Sequence, residues 1–265
     1  MTDEQPTWEI FMSRWVYRGL KTGVVTTLYP VQQETAPGCT PGLPVGQTMP
    51  VAQGKQLEKL CPTGAIQSRG DCVAVDYRRC IHCYRCAREG EHPLPWQTGY
   101  EWAYPNPARA ASSNELASAF TRSIHIKVVD AGDCGACLHE VRKLANPYYN
   151  MHRLGFFLTP TPRHADILLV VGTVTDHLRL TLEKTYEAMP GPKKVVAVGA
   201  CALSGGIFGT SFVCGSNVRD VIPVDVEVPG QPPPPLAILH GLLLAVGRRS
   251  PGNEVSAPPN VEATP

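Results

Sequence analysis

Three cysteines, Cys80, Cys83 and Cys86, stand at C-x2-C-x2-C spacing, and this short run constrains the chain more than any other feature. Where thiols are kept reduced, clustered cysteines bind metal or perform chemistry more often than they form disulfides. Three thiolates so spaced can wrap three irons of one cubane. The fourth thiolate then comes from elsewhere, usually from a Cys-Pro. The chain has one Cys-Pro, Cys61-Pro62. Cys61, Cys80, Cys83 and Cys86 are therefore expected to hold a [4Fe-4S] cluster. Zinc, which four thiolates also suit, is the alternative.

The arrangement resembles bacterial two-cluster ferredoxins, whose C-x2-C-x2-C-x3-C-P repeat lends its fourth cysteine to the other cluster. Here the first repeat keeps only Cys61, with Val51, Gly54 and Leu57 at the three preceding positions. The second keeps Cys80, Cys83 and Cys86 but has Gly90 at its fourth. All losses fall on one cluster, and one complete set remains. Gly70-Asp71 between Ala65-Ile66-Gln67 and Cys72 to Asp76 predicts a hairpin. Cys72 is expected to pack rather than ligate. Cys39, in a loop of turn formers, is expected to be a free thiol. His82, between two ligands, is expected either to tune the cluster by hydrogen bonding or to face solvent.

Composition narrows the function classes. Twenty-four basic and 23 acidic residues leave a net charge of +1, which excludes a broad electrostatic footprint for nucleic acid. At 43% hydrophobic the chain can build a core, while 18% charged residues is below the ~25% usual for soluble domains and points to surface covered by a partner. The longest apolar stretch, Leu236 to Val246, is well short of the ~20 residues of a bilayer span. The acidic start Met1-Thr-Asp-Glu-Gln lacks the features of a signal peptide, so a cytoplasmic location is expected. No Walker A or G-x-G-x-x-G is present, and Gly199 to Gly206 lacks that spacing, so nucleotide binding has no support.

Trp8 to Tyr29 reads as an amphipathic helix, packed on its own domain or docked at a membrane-subunit surface. Residues 31–56, rich in Pro, Gly and Gln, read as an extended connection. The expected divisions are 1–56 helix and extended segment, 57–92 reduced ferredoxin-like domain, 93–123 Pro/aromatic linker, 124–249 α/β domain and 250–265 disordered tail. From residue 124, four β-branched runs alternate with helix-like segments: Ile124 to Val129, Ala165 to Val171, Lys194 to Val198 and Val221 to Val226. That pattern predicts an α/β domain with a mostly parallel sheet. Cys134 and Cys137 follow the first run, Cys201 the third, and Pro229-Gly230-Gln231 the fourth. All lie after strand carboxyl ends, where open α/β sheets place their ligands.

The C-terminal half resembles the small electron-transfer subunit shared by energy-converting [NiFe] hydrogenases, formate hydrogenlyase and complex I, where it is the B-type (PSST) subunit. The matching residues are Asp133-Cys134-Gly-Ala-Cys137-Leu-His-Glu140, Pro160-Thr-Pro-Arg163-His164-Ala-Asp166, Val171-Gly172-Thr173, Gly199-Ala-Cys201-Ala-Leu-Ser-Gly205-Gly206 and Ile222 to Gly230. The split Cys-x2-Cys looks more like the hydrogenase branch. The N-terminal part resembles the ferredoxin-like subunit of the same complexes, so one chain looks like two fused members of an electron wire.

The resemblance implies a flavodoxin-like domain holding a second [4Fe-4S] cluster. It implies a relay role without the catalytic metal, beside a large hydrogenase- or complex-I-like catalytic subunit and a membrane subunit. A soluble ferredoxin-type donor fits the same picture, as does a peripheral place on the inner face of the cell membrane. It associates Glu140 with proton movement; otherwise Glu140 is a helix N-terminal carboxylate. Arg163 and His164 are expected to serve a structural turn, or else to face a partner or quinone-like ligand. One departure matters. The family's fourth ligand falls at Gln231, and an amide oxygen matches iron poorly beside thiolate. Four outcomes stay open: a cluster with Gln231, water or another side chain on one iron; Cys214 as replacement; a three-iron cluster; or an empty site, which would leave a structural or assembly subunit.

Overall fold

The computed structural model describes residues 14–89, 93–106, 109, 123–215 and 217–251. The expected tail lies outside them apart from residues 250 and 251, as do Gly90 and most of 107–122.

The first element, α1 (Arg14–Thr22), buries no residue, and its Trp15 and Leu20 are exposed. It stops well before the expected Tyr29, because Gly23 takes a left-handed φ of +68°. Val16 and Tyr17 are half-buried. The part of the expected helix before residue 14 lies outside the described residues.

Next come β1 (Leu43–Pro44), α2 (Val51–Leu60), the hairpin β2 (Ile66–Arg69) and β3 (Cys72–Val75), then α3 (Arg85–Arg88) and β4 (Trp96–Gln97). The Gly-Asp turn forms as expected and pairs Ile66 with Val75. Leu57, Ile66, Val73, Val75 and Leu94 make a small core of their own. Two positions that would carry ferredoxin thiols, Gly54 and Leu57, are instead the buried positions of α2. A Cβ on Gly54 would lie 2.6 Å from Ser68 Oγ, so α2 sits tight on the hairpin. Helix α2 also crosses the division expected at residue 57. Cys72 is exposed, because the alternation of β3 puts Val73 and Val75 inward; the packing role expected for it is not what the structure shows.

The second unit is a six-stranded sheet. It contains β5 (Tyr104–Pro105), β6 (Ile124–Asp130), β7 (Phe156–Leu158), β8 (Ile167–Val171), β9 (Lys194–Val198) and β10 (Val226–Val228), in the order β5-β10-β9-β8-β6-β7. From β6 to β10 the strands are parallel and run 2-1-3-4-5, the flavodoxin-like order. Every residue of β8, β9 and β10 is buried, as parallel strands covered on both faces must be.

Helices α4 (Ala136–Lys143) and α7 (Pro235–Ala245) cover one face. Helices α5 (Asp176–Ala188) and α6 (Ala200–Ser204) cover the other. The long apolar stretch of the sequence is therefore a core helix: all of α7 but Leu244 is buried, and Gly241 lets it approach Val228. Among the described residues no helix is long and apolar enough to cross a membrane.

The segment expected as a linker is woven into both units. Trp96 pairs with Pro44, while Tyr104 pairs antiparallel with Glu227. Trp102 is 1% exposed.

Candidate functional site: two cysteine clusters

The first set is assembled from the end of α2 and the loop after β3. Cys61 closes α2, and its Sγ accepts the Ala65 amide at 3.2 Å. Thr63 Oγ1 donates to the Arg79 carbonyl at 2.7 Å, which ties this turn to the loop carrying Cys80. Between the cysteines of that loop the backbone is left-handed at two non-glycine residues, His82 (φ 52°) and Tyr84 (φ 62°). Such residues cost about 1–3 kcal/mol each and concentrate at functional sites.

The result is one small pocket lined by all four thiols, Cys61, Cys80, Cys83 and Cys86, with Ile66 and Trp96 among its apolar walls. Burial pushes the Cys80 thiol up to about 12, and Cys86, Cys61 and Cys83 around it add to the rise. Cys86 is also raised, by burial first. Among the described residues no three His, Cys, Asp or Glu side chains converge closely enough to hold a single metal ion.

His82 does not face solvent, and its backbone N–H bonds the Cys80 thiol while its ring stands apart. It is 8% exposed, and no hydrogen-bond partner reaches Nδ1 or Nε2. Its ring stands edge-on to Trp96 (6.1 Å) and Trp102 (5.7 Å). Burial pulls its pKa down to about 4, so it is neutral at pH 7.

The second set lies at the carboxyl end of the sheet, as expected. Asp130 Oδ1 accepts the Gly132 and Asp133 amides, and Asp133 Oδ2 accepts those of Gly135 and Leu138. These bonds fix the turn carrying Cys134 and start α4, where Cys137 is buried. Cys201, buried, opens α6 after β9. Gln231 follows β10 and bridges two thiols: Cys137 Sγ donates to its Oε1 at 3.8 Å, and its Nε2 donates to Cys134 Sγ at 4.0 Å. Burial raises Cys201 to about 11, with Cys134 the next cause. Cys137 is raised further, by burial, then Asp133, then Cys201.

Two glycines make room for these sulfurs. A Cβ on Gly199 (φ +93°) would lie 2.5 Å from Cys137 Sγ, and one on Gly206 (φ +58°) 2.7 Å from Cys201 Sγ. Gln231 thus stands among the three thiols. Cys214 is held differently: its backbone bridges Thr175, and its Sγ accepts from Thr173 Oγ1 at 3.8 Å.

Glu140 sits in the second turn of α4 rather than the first, so the helix-terminus reading does not hold. It pairs with Lys143 Nζ at 2.7 Å and is close enough to Cys137 to raise it. Arg163 and His164 lie exposed on a 3-10 turn before β8, at the amino end of the sheet and away from the cysteines.

Sequence reasoning missed the residues that join the two sets. Arg78, two before Cys80, pairs with buried Glu227 of β10 at 3.2 Å. Ser204 of α6 donates to the Arg78 carbonyl at 2.9 Å. Trp102 Nε1 donates to the Pro229 carbonyl at 2.9 Å. The signal available was a tryptophan in a segment otherwise read as a connector.

Residues 134–245 match the family described as NADH ubiquinone oxidoreductase, 20 Kd subunit. The chain is 42% identical over 132 residues to "Probable membrane-bound hydrogenase subunit mbhJ" of Pyrococcus furiosus, covering 50% of this chain and 79% of that protein. It is 37% identical over 138 residues to formate hydrogenlyase subunit 7 of Escherichia coli, covering 52% and 54% respectively. Among solved structures, a chain of an archaeal membrane-bound sulfane sulfur reductase aligns over 50% of this chain and 73% of its own length, at 31% identity and a TM-score of 0.45.

Proposed function

The chain belongs to the NADH ubiquinone oxidoreductase 20 kDa subunit family, and from that premise we propose that it is the iron–sulfur electron-transfer subunit of a membrane-associated, hydrogenase- or complex-I-like oxidoreductase. Its partners are then a large catalytic subunit and a membrane subunit of the same complex. The relatives named as hydrogenase and formate hydrogenlyase subunits support this placement. The chain's own part is relay, with the chemistry of the terminal donor and acceptor on other subunits.

The observation that carries the reading is the gathering of seven thiols into two sites. The residues fit a [4Fe-4S] group at each, to different degrees. At the first, four soft thiolate donors line one pocket, a donor set that suits an iron–sulfur group. At the second, Cys134, Cys137 and Cys201 supply three thiolates and Gln231 an amide. A bound [4Fe-4S] group supplies one-electron redox chemistry at each site. The protein's residues would ligate it, exclude water through the buried Cys86, Cys137 and Cys201, and hold the ligand loops through Thr63, Asp130 and Asp133. Binding must displace the protons that burial keeps on Cys80 and Cys201.

Gln231 favours a second reading, a structural subunit whose C-terminal site is altered or lost. Anaerobic purification with iron and sulfide quantification, Mössbauer and EPR spectroscopy decides between them. Two centres give about eight irons per chain, one gives about four, and an all-zinc protein gives none. The relay reading predicts two, with a nonequivalent iron at the second. A chain holding one centre would leave the structural reading standing.

A further inference from the structure

The two cysteine sites are joined by a contiguous buried path whose middle is two aromatic side chains. His82 lies in the first loop between Cys80 and Cys83, with no hydrogen-bond partner for either ring nitrogen. Its ring meets Trp102 at 5.7 Å and 90°, an edge-to-face contact. Trp102 donates its Nε1–H to the Pro229 carbonyl at 2.9 Å. Pro229 is followed by Gly230, whose carbonyl accepts the Ala200 amide at 2.7 Å, and then by Gln231. Ala200 precedes Cys201, and Gln231 contacts Cys134 and Cys137. Each link between the first loop and the second is therefore a covalent bond, a hydrogen bond or a packed ring contact, and the two rings are 8% and 1% exposed.

A buried histidine without partners is an anomaly, since unpaired buried polar groups cost about 1–3 kcal/mol each. Packing alone would favour an apolar residue there. Trp102 likewise belongs to neither cysteine set, yet it is among the largest fully buried side chains of the protein. Electron tunnelling weakens with distance, and more steeply across gaps than through bonded or hydrogen-bonded atoms. A short, dry and densely packed contact between the two loops is what such transfer requires.

We propose that His82 and Trp102 are positioning residues that form the electron path between the two cysteine sites, with the Trp102–Pro229 hydrogen bond as its crossing point. The inference rests on both sites holding redox centres. With redox centres held by Cys61, Cys80, Cys83 and Cys86 and by Cys134, Cys137 and Cys201, the chemistry they would supply is the passage of one electron from the reduced centre to the oxidised one. No covalent bond forms or breaks, and no proton moves.

The test uses the full chain with iron and sulfide in place, in wild type, Trp102→Phe, Trp102→Leu and Tyr100→Phe. Trp102→Phe keeps a ring against His82 and removes the donor to Pro229. Trp102→Leu removes both. Tyr100 is a nearby buried aromatic outside the path. Iron and sulfide content and the EPR signals establish which centres are present. A substoichiometric pulse of photoreduced deazaflavin, followed by freeze-quench EPR, then gives the rate at which the electron redistributes between them.

The expected result is unchanged iron and unchanged signals in all four proteins. Redistribution slows several-fold in Trp102→Phe, slows further in Trp102→Leu and keeps the wild-type rate in Tyr100→Phe. A purely structural role for Trp102 would lower the iron content and leave the rate in the loaded fraction untouched, which overturns the proposal. Equal rates in all four proteins with both centres present overturn the path alone. A wild-type chain with a single centre overturns the two-centre reading and the path with it.

Discussion

Glu227 of β10 is 1% exposed, and its Oε2 pairs with Arg78 Nε at 3.2 Å, two residues ahead of the first site's Cys80. Arg219 pairs with the other carboxylate oxygen. One buried carboxylate thus staples the loop carrying Cys80 to the strand that ends near Gln231. Arg78→Met leaves Glu227 buried with one cation instead of two. Arg78 is 26% exposed, so the cost is expected at about 1–3 kcal/mol, below the 3–5 kcal/mol for breaking a fully buried pair. Arg78→Lys should recover only part, since an ammonium cannot reproduce the guanidinium geometry. Urea unfolding of the full chain measures this, and unchanged midpoints for Arg78→Met would show that Arg219 alone satisfies Glu227.

Gln231→Cys puts a thiolate where an amide now spans Cys134 and Cys137 at 4.0 and 3.8 Å. Soft sulfur binds iron better than amide oxygen. The variant is expected to hold its second centre through oxidant challenge longer than wild type, with the EPR signal of an all-thiolate cluster. Cys214→Ser is expected to leave the second centre's spectrum unchanged, because Cys214 is anchored to Thr173 and Thr175. Loss of that centre in Cys214→Ser would make Cys214 the fourth ligand instead.

The parallel sheet could be read early because β8 and β9 are near-continuous apolar runs, which sheet burial on both faces demands. Strand β7 escaped notice because Phe156-Phe157-Leu158 is three residues long and two of them face outward. The fourth run was placed too early. Pro223 interrupts it, and Asp225 spends its carboxylate on the Val195 amide and Lys194, so pairing begins only at Val226. Cys80, Cys83 and Cys86, and Cys134 with Cys137, were legible from spacing because each cluster is local; Cys61 and Cys201 came from a Cys-Pro and from a strand end. The joints between them were not. Contacts such as Trp102–Pro229 and Arg78–Glu227 span more than a hundred residues, and no periodicity announces them.

Thiol reactivity should divide each set. In the chain without bound metal, Cys83 and Cys134 are exposed while Cys86, Cys137 and Cys201 are buried. Thiolate is the reactive form, and burial raises Cys80 to about 12 and Cys201 to about 11, so both stay protonated from pH 7 to pH 9. Iodoacetamide at pH 8 with peptide mass spectrometry should label Cys83 and Cys134 first and Cys80, Cys137 and Cys201 last. The same sign governs stability. The native state holds protons that the unfolded chain gives up near pH 9, so stability of the metal-free chain falls between about pH 9 and 12. Labelling of Cys80 as fast as Cys83 would contradict the buried first site.

Gly199→Ala and Gly206→Ala probe the second site from its backbone. Both positions have left-handed φ, which costs a non-glycine residue about 1–3 kcal/mol. Beyond that strain, the added methyl meets Cys137 Sγ at 2.5 Å in one case and Cys201 Sγ at 2.7 Å in the other. Cys137 is a core residue of α4 and has little room to retreat. Either substitution should therefore move a thiol away from Gln231 and lower iron at the second site, while the first site, built from α2 and the loop after β3, keeps its own. The measurement is iron per chain together with EPR of each centre. A Gly199→Ala protein with both centres intact would mean that Cys137 does not need the position the structure gives it.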